Sequence, residues 1–203
     1  MKSCDVLIVG GGPAGSACAW KLKQAGLDVA VLDKHRFPRD KVCAGWVTPQ
    51  VLRSLHMDAE EYAKGRVLQP ISAFRTGVIG GTALETRYEE PVSYGIRRCE
   101  FDHYLLDRSG AQLYLGESVR DIRRSAEGWI VNGSISAPLL IGAGGHFCPV
   151  ARRFGKAARH EPVIAAQEIE FEMSTVQQKA CPVKGEMPEL YFCADLRGYG
   201  WCF

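Results

Sequence analysis

Asp5-Val6-Leu7-Ile8-Val9-Gly10-Gly11-Gly12-Pro13-Ala14-Gly15 decides the fold of this chain, because an apolar strand runs directly into a glycine-rich turn. Gly10 permits a tight turn at the end of the strand, and Gly12 leaves the backbone open to a pyrophosphate. Gly15 lets the helix that follows lie close to the strand. The N-terminus of that helix offers free N–H groups and the positive end of its dipole to an anion.

An acidic residue completes the pattern at the end of the next strand. The apolar run Val29-Ala30-Val31-Leu32 ends at Asp33. A carboxylate at this position accepts hydrogen bonds from both hydroxyls of an unphosphorylated ribose, which favours FAD or NAD over NADP. A glycine turn that binds nothing is the alternative, and the combination of strand, helix and acid makes it a poor explanation.

The composition places the chain among ordinary globular proteins. Hydrophobic residues make up 46% and charged residues 24% of its 203 residues. The net charge of +2 does not favour nucleic acid as a partner. We expect no signal peptide and no transmembrane segment, because every apolar run is short and the first opens on an acid.

The eight cysteines are scattered along the chain, without a C-x-x-C pair or a histidine spacing typical of zinc sites. This distribution predicts free thiols in a reducing cytoplasm and no metal site. The five histidines are equally dispersed, and we assign none of them to catalysis.

Hydrophobic periodicity and turn residues predict the remaining elements. Helices are expected at 13–24, from 49, at about 100–108 and from 149. Strands are expected between 66 and 96, at 112–115, 118–123, 129–135 with an Asn132-Gly133 turn, 139–141, 164–171 and 190–203. A βαβ unit thus opens the chain, β-structure interrupts it, and a second β-region follows.

Four segments of the chain resemble motifs of one family. They are the N-terminal glycine turn, Phe37–Trp46 (R/K-x-C-G-G), Arg98–Asp102 (R-x-x-F-D) and Tyr199–Phe203 (the core of P-x-x-Y-x-W-x-F-P). The chain is similar in these segments to the N-terminal portion of the geranylgeranyl reductase family of FAD-dependent oxidoreductases. That family has the p-hydroxybenzoate-hydroxylase-like FAD-binding fold.

The resemblance implies a fold class and a division into domains. The class is α/β, with a Rossmann-like FAD-binding domain of the GR2 type and an inserted, incomplete β-rich substrate domain. Residues 1–65 and 96–155 would form the FAD-binding domain. Residues 66–95 and 156–203 would form the truncated substrate domain.

The resemblance also implies a set of site residues. The residues that would contact FAD are Gly10, Gly12, Ala14, Gly15, Asp33, Lys34, Cys43, Ala44, Arg98, Val119 and Gly144. Tyr199 and Trp201 would line a pocket for a prenyl chain. Cys43 is a candidate catalytic thiol because its loop would pass the flavin.

Some of these assignments have a structural alternative. Cys43 is equally explained as a small residue in a tight loop. Arg98 has the alternative of a solvated surface arginine, and the two aromatic residues have that of an ordinary sheet core.

Three departures from the family pattern stand out. The G-A-D-G motif reads Gly142-Ala143-Gly144-Gly145, so a carboxylate is missing at Gly144. The proline that opens the substrate motif is Leu196. The family's second glycine-aspartate motif has no counterpart before Phe203, and we therefore expect a longer gene product.

By resemblance, the protein would use NAD(P)H and FAD to reduce alkene bonds of a prenyl substrate. A flavin-dependent monooxygenase or halogenase, and a non-catalytic FAD-binding fragment, are the alternatives. The substrate would be a small molecule or a prenyl lipid, and the latter implies peripheral membrane contact by a cytoplasmic protein.

Overall fold

A computed structural model describes residues 1–155 and 165–203 of the chain. These residues form two compact units, which we call the first and the second unit. The first unit comprises Met1–Lys41 and the described part of Cys99–Ile164, and the second comprises Val42–Arg98 and Ala165–Phe203. Residues 42–65, grouped with the FAD-binding domain by the sequence analysis, thus fall in the second unit.

Strands and short helices alternate along the described residues. The strands are β1 Lys2–Ser3, β2 Val6–Val9, β3 Val29–Asp33, β4 Trp46–Val47, β5 Leu68–Ile71, β6 Ala73–Val78, β7 Ala83–Arg87, β8 Ser93–Ile96, β9 Gln112–Leu115, β10 Ile122–Ser125, β11 Gly128–Val131, β12 Ile135–Ala137, β13 Leu139–Gly142, β14 Glu189–Phe192 and β15 Tyr199–Cys202. The helices are α1 Pro13–Gln24, α2 Pro49–Ser54, α3 Ala59–Ala63, α4 Arg98–Asp107, α5 Pro149–Phe154 and α6 Thr175–Ala180, with a 3₁₀ turn at Gly145–Phe147.

A parallel sheet in the order β13-β2-β3-β9 lies at the centre of the first unit. On one side of β2 the sheet continues with β3 and then β9. On the other side of β2 it continues with β13, which comes last of the four in the chain. The strand order therefore reverses between β2 and β13. Ligands of open α/β sheets bind at such a reversal, beyond the carboxyl ends of the strands.

Both faces of this sheet are covered, which explains why its strands are almost wholly apolar. On one face, Leu7 and Leu32 pack against residues of β10–β12 such as Val131. On the other face, Ile8 and Val31 pack against other apolar side chains, Ala19 and Leu106 among them. Alternate residues of one strand thus enter two different cores.

The covering layer on the first face is an antiparallel meander of β10, β11 and β12, extended by β1 in parallel to β12. The turn between β11 and β12 was predicted correctly. Asn132 and Gly133 have φ values of 54° and 66°, as the type I′ turn requires. Their positive φ explains why this dipeptide, rather than a β-branched pair, joins β11 to β12.

The second unit is rich in β-structure. A four-stranded sheet has the order β15-β14-β6-β7, and a three-stranded antiparallel sheet has the order β4-β8-β5. In the larger sheet, β14 pairs with β6 in parallel and with β15 in antiparallel. The unit thus combines strands from two distant parts of the chain.

Several predicted elements are confirmed within a residue or two. Helix α1 spans the predicted residues, and α4 begins two residues earlier than expected. One strand differs more. It was expected at 118–123, and it begins only at Ile122. The amides of Arg120 and Asp121 donate to the side chain of Asn132 instead of to a neighbouring strand.

Two predicted strands are corrected. Residues 165–171 have no regular secondary structure, so the predicted strand is wrong there, and residue 164 lies outside the described residues. The continuous strand expected at 190–203 is instead the pair β14 and β15. Leu196 has a φ of 56° in the turn between them. Helices α3 and α6 were not predicted.

Candidate cofactor site

The glycine turn after β2 is tightly packed against the turn after β13. Gly10 has a φ of 113°, and a Cβ on it would overlap with the carbonyl group of Ala143. A Cβ on Gly15 would overlap with the carbonyl oxygen of Gly10. The first turn of α1 therefore lies directly on the backbone of the preceding turn, as predicted for this glycine. Only glycine satisfies both contacts.

Helix α1 begins at this turn, and its N-cap residue supplies no capping side chain. Gly12 is the N-cap, Pro13 is the first helical residue, and within residues 1–155 and 165–203 no side-chain cap bonds the first turn. Lys21 and Lys23 occupy the last turn, where positive charge is favourable. The 12-residue helix thus presents free donors and the positive end of its dipole at the carboxyl edge of the sheet.

Asp33 connects the end of β3 to the same turn. Its carboxylate is 9% exposed, and its Oδ2 accepts from the Gly11 amide at 2.7 Å. Its Oδ1 accepts from the amide of His35 at 2.8 Å. Each oxygen retains a further lone pair, so the carboxylate fixes the turn and still has capacity to accept from a ribose. The sequence had suggested only the second of these roles.

Close packing of the turn after β13 explains why residue 144 is a glycine. A Cβ at Gly144 would lie 3.2 Å from Cα and 3.4 Å from Sγ of Cys148, which is tighter than ordinary packing. The Ala143 amide donates to the Val9 carbonyl at 2.7 Å and holds this turn beside the end of β2. An aspartate at 144 would press on the buried Cys148.

Three further predicted contact residues lie in the first unit. Ala14 and Lys34 are exposed, in the first turn of α1 and just beyond β3. Val119 is half-buried and packs against the core beneath the meander, so its backbone rather than its side chain is available to a ligand. The structure thus brings Gly10, Gly15 and Gly144 together at one edge of the sheet.

An ion pair that the sequence analysis did not identify lies beside the same turn. Nη2 of Arg39 is 3.1 Å from Oδ2 of Asp102, and the two side chains are 14% and 0% exposed. A Cβ on Gly12 would lie 3.5 Å from the same Nη2. Both residues occur within the quoted family segments, but nothing local links positions so far apart in sequence.

The second unit contains the remaining predicted residues. Cys43 and Ala44 are half-buried, and the Cys43 amide donates to Oε2 of Glu168 at 2.5 Å. Gly45 follows with a φ of 66°, and a Cβ there would meet the Ile96 carbonyl oxygen at 2.6 Å. The loop therefore has a defined conformation. Arg98 is half-buried at the first residue of α4.

The two aromatic residues of the predicted pocket lie side by side on β15. The rings of Tyr199 and Trp201 are 5.7 Å apart, as expected for alternate residues on one face. Tyr199 is 56% exposed. Phe203, two residues after Trp201, contacts Trp46, and their ring centroids are 5.2 Å apart. The face of β15 that carries these rings is apolar and accessible.

None of the described cysteines forms a disulfide. All eight are free. Burial raises the pKa of the Cys4 thiol, with a further contribution from Asp28, and burial likewise raises the pKa of Cys18. Within residues 1–155 and 165–203, no group of three or more candidate side chains is placed to hold a metal ion. In the same part of the chain, no helix has the length and apolar character needed to cross a membrane.

One protein family matches the part of the chain that contains the glycine turn and Asp33. Residues 5–91 match the family described as FAD dependent oxidoreductase. The chain is 29% identical over 224 residues to the menaquinone reductase of Mycobacterium tuberculosis, covering 99% of this chain and 52% of that protein. The chain therefore spans about half the length of this relative.

Two further relatives differ in their named reactions. A geranylgeranyl diphosphate reductase of Rhodobacter capsulatus is 32% identical over 110 residues, which is 52% of this chain and 25% of that protein. A flavin-dependent halogenase of Armillaria mellea is 30% identical over 136 residues, which is 62% of this chain and 26% of that protein.

A solved structure supports the fold. The geranylgeranyl bacteriochlorophyll reductase-like protein of Thermoplasma acidophilum superposes with a TM-score of 0.70 at 19% identity. The match covers 99% of this chain and 53% of that protein. The predicted Rossmann-like FAD-binding fold is confirmed. The glycine turn, the open helix N-terminus and Asp33 fit a dinucleotide of this kind.

Proposed function

From the premise that the chain carries an FAD-dependent oxidoreductase domain, we propose that it is the cofactor-binding part of a reductase acting on alkene bonds of a prenyl substrate. The observation that carries the proposal is the glycine turn at the β2–β13 reversal, with Asp33 bonded to it. The named reactions of the menaquinone and geranylgeranyl diphosphate reductases support the choice of substrate class.

In this proposal the first unit holds the adenosine diphosphate half of FAD. The open amides at the start of α1 receive the diphosphate, and Gly12 allows it to approach the backbone. Asp33 accepts from the ribose hydroxyls, and backbone near Val119 meets the adenine. Gly10 and Gly15 act indirectly, because they bring the helix N-terminus to the carboxyl edge of the sheet.

Residues of the second unit would act near the reacting end of the cofactor. Bound FAD supplies hydride transfer to carbon. The loop at Cys43 and Ala44, fixed by Glu168 and by Gly45, would orient the ring and exclude water from it. Arg98 is proposed as a cofactor contact, and Cys43 as the thiol beside the ring.

Tyr199 and Trp201 are proposed to line the pocket for the prenyl chain, because they form an accessible apolar face. A prenyl lipid would bring a cytoplasmic protein with free thiols into peripheral contact with a membrane. NADH or NADPH is the proposed reductant.

The proposal is tested by anaerobic turnover. The purified chain is loaded with FAD, reduced with NADH or NADPH, and mixed with geranylgeranyl diphosphate in the absence of oxygen. We expect the flavin absorption to return and the product mass to increase by two hydrogens per reduced bond. Trp201→Ala should slow this step and keep FAD bound, while Leu84→Ala, at a residue that is 74% exposed, should leave both the rate and FAD binding unchanged.

A flavin-dependent halogenase is the second candidate, and the Armillaria relative favours it. A halogenase would require oxygen for turnover, whereas the proposed reductase would turn over without it. The reduced protein would be reoxidised only by oxygen, and a halide with an aromatic acceptor would give a halogenated product. A chain that takes up no FAD under either condition would contradict both candidates.

A further inference from the structure

A nearly buried guanidinium lies on the open side of Gly12, where the glycine turn leaves space. The ideal Cβ position of Gly12 is 3.5 Å from Nη2 of Arg39. This is the side from which a diphosphate approaches the backbone in a glycine turn of this kind. Arg39 thus lies at the place where negative charge would be bound.

Several contacts fix the orientation of this guanidinium. Its Nη2 is paired with Oδ2 of Asp102 at 3.1 Å. Its central carbon lies 4.8 Å from the centre of the Phe37 ring, in a cation–π contact. The side chain is therefore held in one place before any ligand binds, and no further rotamer freedom is lost on binding.

One donor of the guanidinium is left over. Nη1 of Arg39 is buried and has no hydrogen-bond partner among the described residues. A buried donor without an acceptor is costly, and a buried ion pair alone seldom compensates for the desolvation of its two charges. The arrangement becomes more favourable when an anionic acceptor reaches the guanidinium from the side of Gly12, where Nη2 lies, because hydrogen bonds between charged groups are the strong ones.

We propose that the Arg39 guanidinium donates through Nη2, the nitrogen beside Gly12, to a diphosphate oxygen of the bound dinucleotide, and that buried Asp102 is the positioning residue that holds Arg39 for this contact. The inference rests on the proposed FAD site and adds a side-chain donor to its backbone amides. The competing explanation is that Arg39 only neutralises the buried charge of Asp102.

The test separates these two roles with a double variant. Arg39→Gln alone removes one cation from beside the buried Asp102 carboxylate and is expected to lower the urea midpoint of unfolding. Arg39→Gln combined with Asp102→Asn removes both charges and should restore most of that loss. The matched control is Arg123→Gln with Asp121→Asn, a pair at 2.6 Å whose side chains are 76% and 37% exposed.

Binding of FAD, ADP and adenosine is then measured by titration calorimetry. The double variant at 39 and 102 should bind ADP and FAD about 10- to 100-fold more weakly, the effect of losing a charged hydrogen bond. Adenosine, which has no phosphate, should bind as it does to the unchanged protein. The control pair should alter none of the three affinities.

A second variant covers failure of the double variant to fold. Arg39→Lys keeps a charge beside Asp102 but lacks the planar fork, so ADP affinity should fall about 10-fold with the urea midpoint preserved. A folded variant at Arg39 that binds ADP like the unchanged protein would overturn the role proposed for Arg39 and would leave the proposed FAD site intact. An unchanged protein that binds neither FAD nor ADP would instead overturn the proposed FAD site.

Discussion

The two units contain comparable β-structure but bury it very differently. In the first unit β2 and β3 are buried along their whole length, and Leu7, Ile8 and Leu32 are fully inaccessible. In the second unit β7 is exposed except at its first residue, and Leu84 and Tyr199 are 74% and 56% exposed. The covered unit fixes the geometry of the cofactor turn, and the open one leaves apolar side chains accessible.

The largest change in unfolding free energy is expected at Gly15, where the cofactor turn has no room for a side chain. Gly15→Ala places a methyl group on the carbonyl oxygen of Gly10, a backbone atom that cannot move away. Alanine favours a helix by about 1 kcal/mol over glycine, but the overlap should dominate. We expect the first unit to lose about 4 kcal/mol or more of unfolding free energy, measured by urea denaturation.

The matched control for that substitution lies in the second unit. A Cβ on Gly200 meets nothing within 4 Å. Gly200→Ala should therefore change the unfolding free energy by less than about 0.5 kcal/mol. Equal losses in the two variants would contradict the contrast between the units.

Core truncation is expected to have the next largest effect. Ile8→Ala removes a fully buried side chain beneath α1 and should cost about 3 kcal/mol. Leu84→Ala removes a largely exposed side chain and should cost less than about 0.5 kcal/mol. A loss at Leu84 as large as that at Ile8 would mean that the open face of the second unit is covered in solution.

Asp33→Asn tests the carboxylate that ties β3 to the glycine turn. The carboxylate accepts from the amides of Gly11 and His35, whereas asparagine has one acceptor and one donor group. One amide would lose its partner, at a cost of about 2 kcal/mol in unfolding free energy. The control is Asp195→Asn, at an exposed residue whose Oδ1 accepts from the Arg197 amide at 3.1 Å, where the change should be under about 0.5 kcal/mol.

The smallest effect concerns the pH dependence of stability. Burial first, and Asp28 second, raise the pKa of the Cys4 thiol above its ordinary value of 9.0. The unfolded thiol ionises before the folded one, so this stabilisation is present below pH 9.0 and is lost as the pH rises through the folded pKa. As the pH rises from about 8 past 9.0, the unchanged protein should therefore lose more unfolding free energy than Cys4→Ala, measured by urea denaturation. Parallel pH profiles would contradict this assignment.

The sequence was sufficient where the structure depends on local chemistry. The turn from β2 to α1, the end of β3 at Asp33 and the Asn132-Gly133 turn each follow from the backbone requirements of a few adjacent residues. The parallel pairing of β2 with β3 follows from the predicted βαβ unit, because such crossovers are almost always right-handed.

The sequence was insufficient where distant residues meet. The pairing of Arg39 with Asp102, and that of the Cys43 amide with Glu168, join segments far apart in the chain. The predicted strand at 118–123 starts late because the Asn132 side chain takes the amides of residues 120 and 121. Alternation of residue types cannot reveal such competition for hydrogen bonds.

The central claim is that the first unit forms a working FAD site, and the cofactor content of the purified chain tests it most directly. The visible absorption spectrum is recorded, and any released cofactor is identified by chromatography before and after incubation with FAD. We expect a flavin spectrum with about one FAD per chain, and loss of that flavin in the Arg39→Gln and Asp102→Asn double variant at micromolar concentrations. A folded, colourless chain that takes up no FAD on reconstitution would contradict the claim.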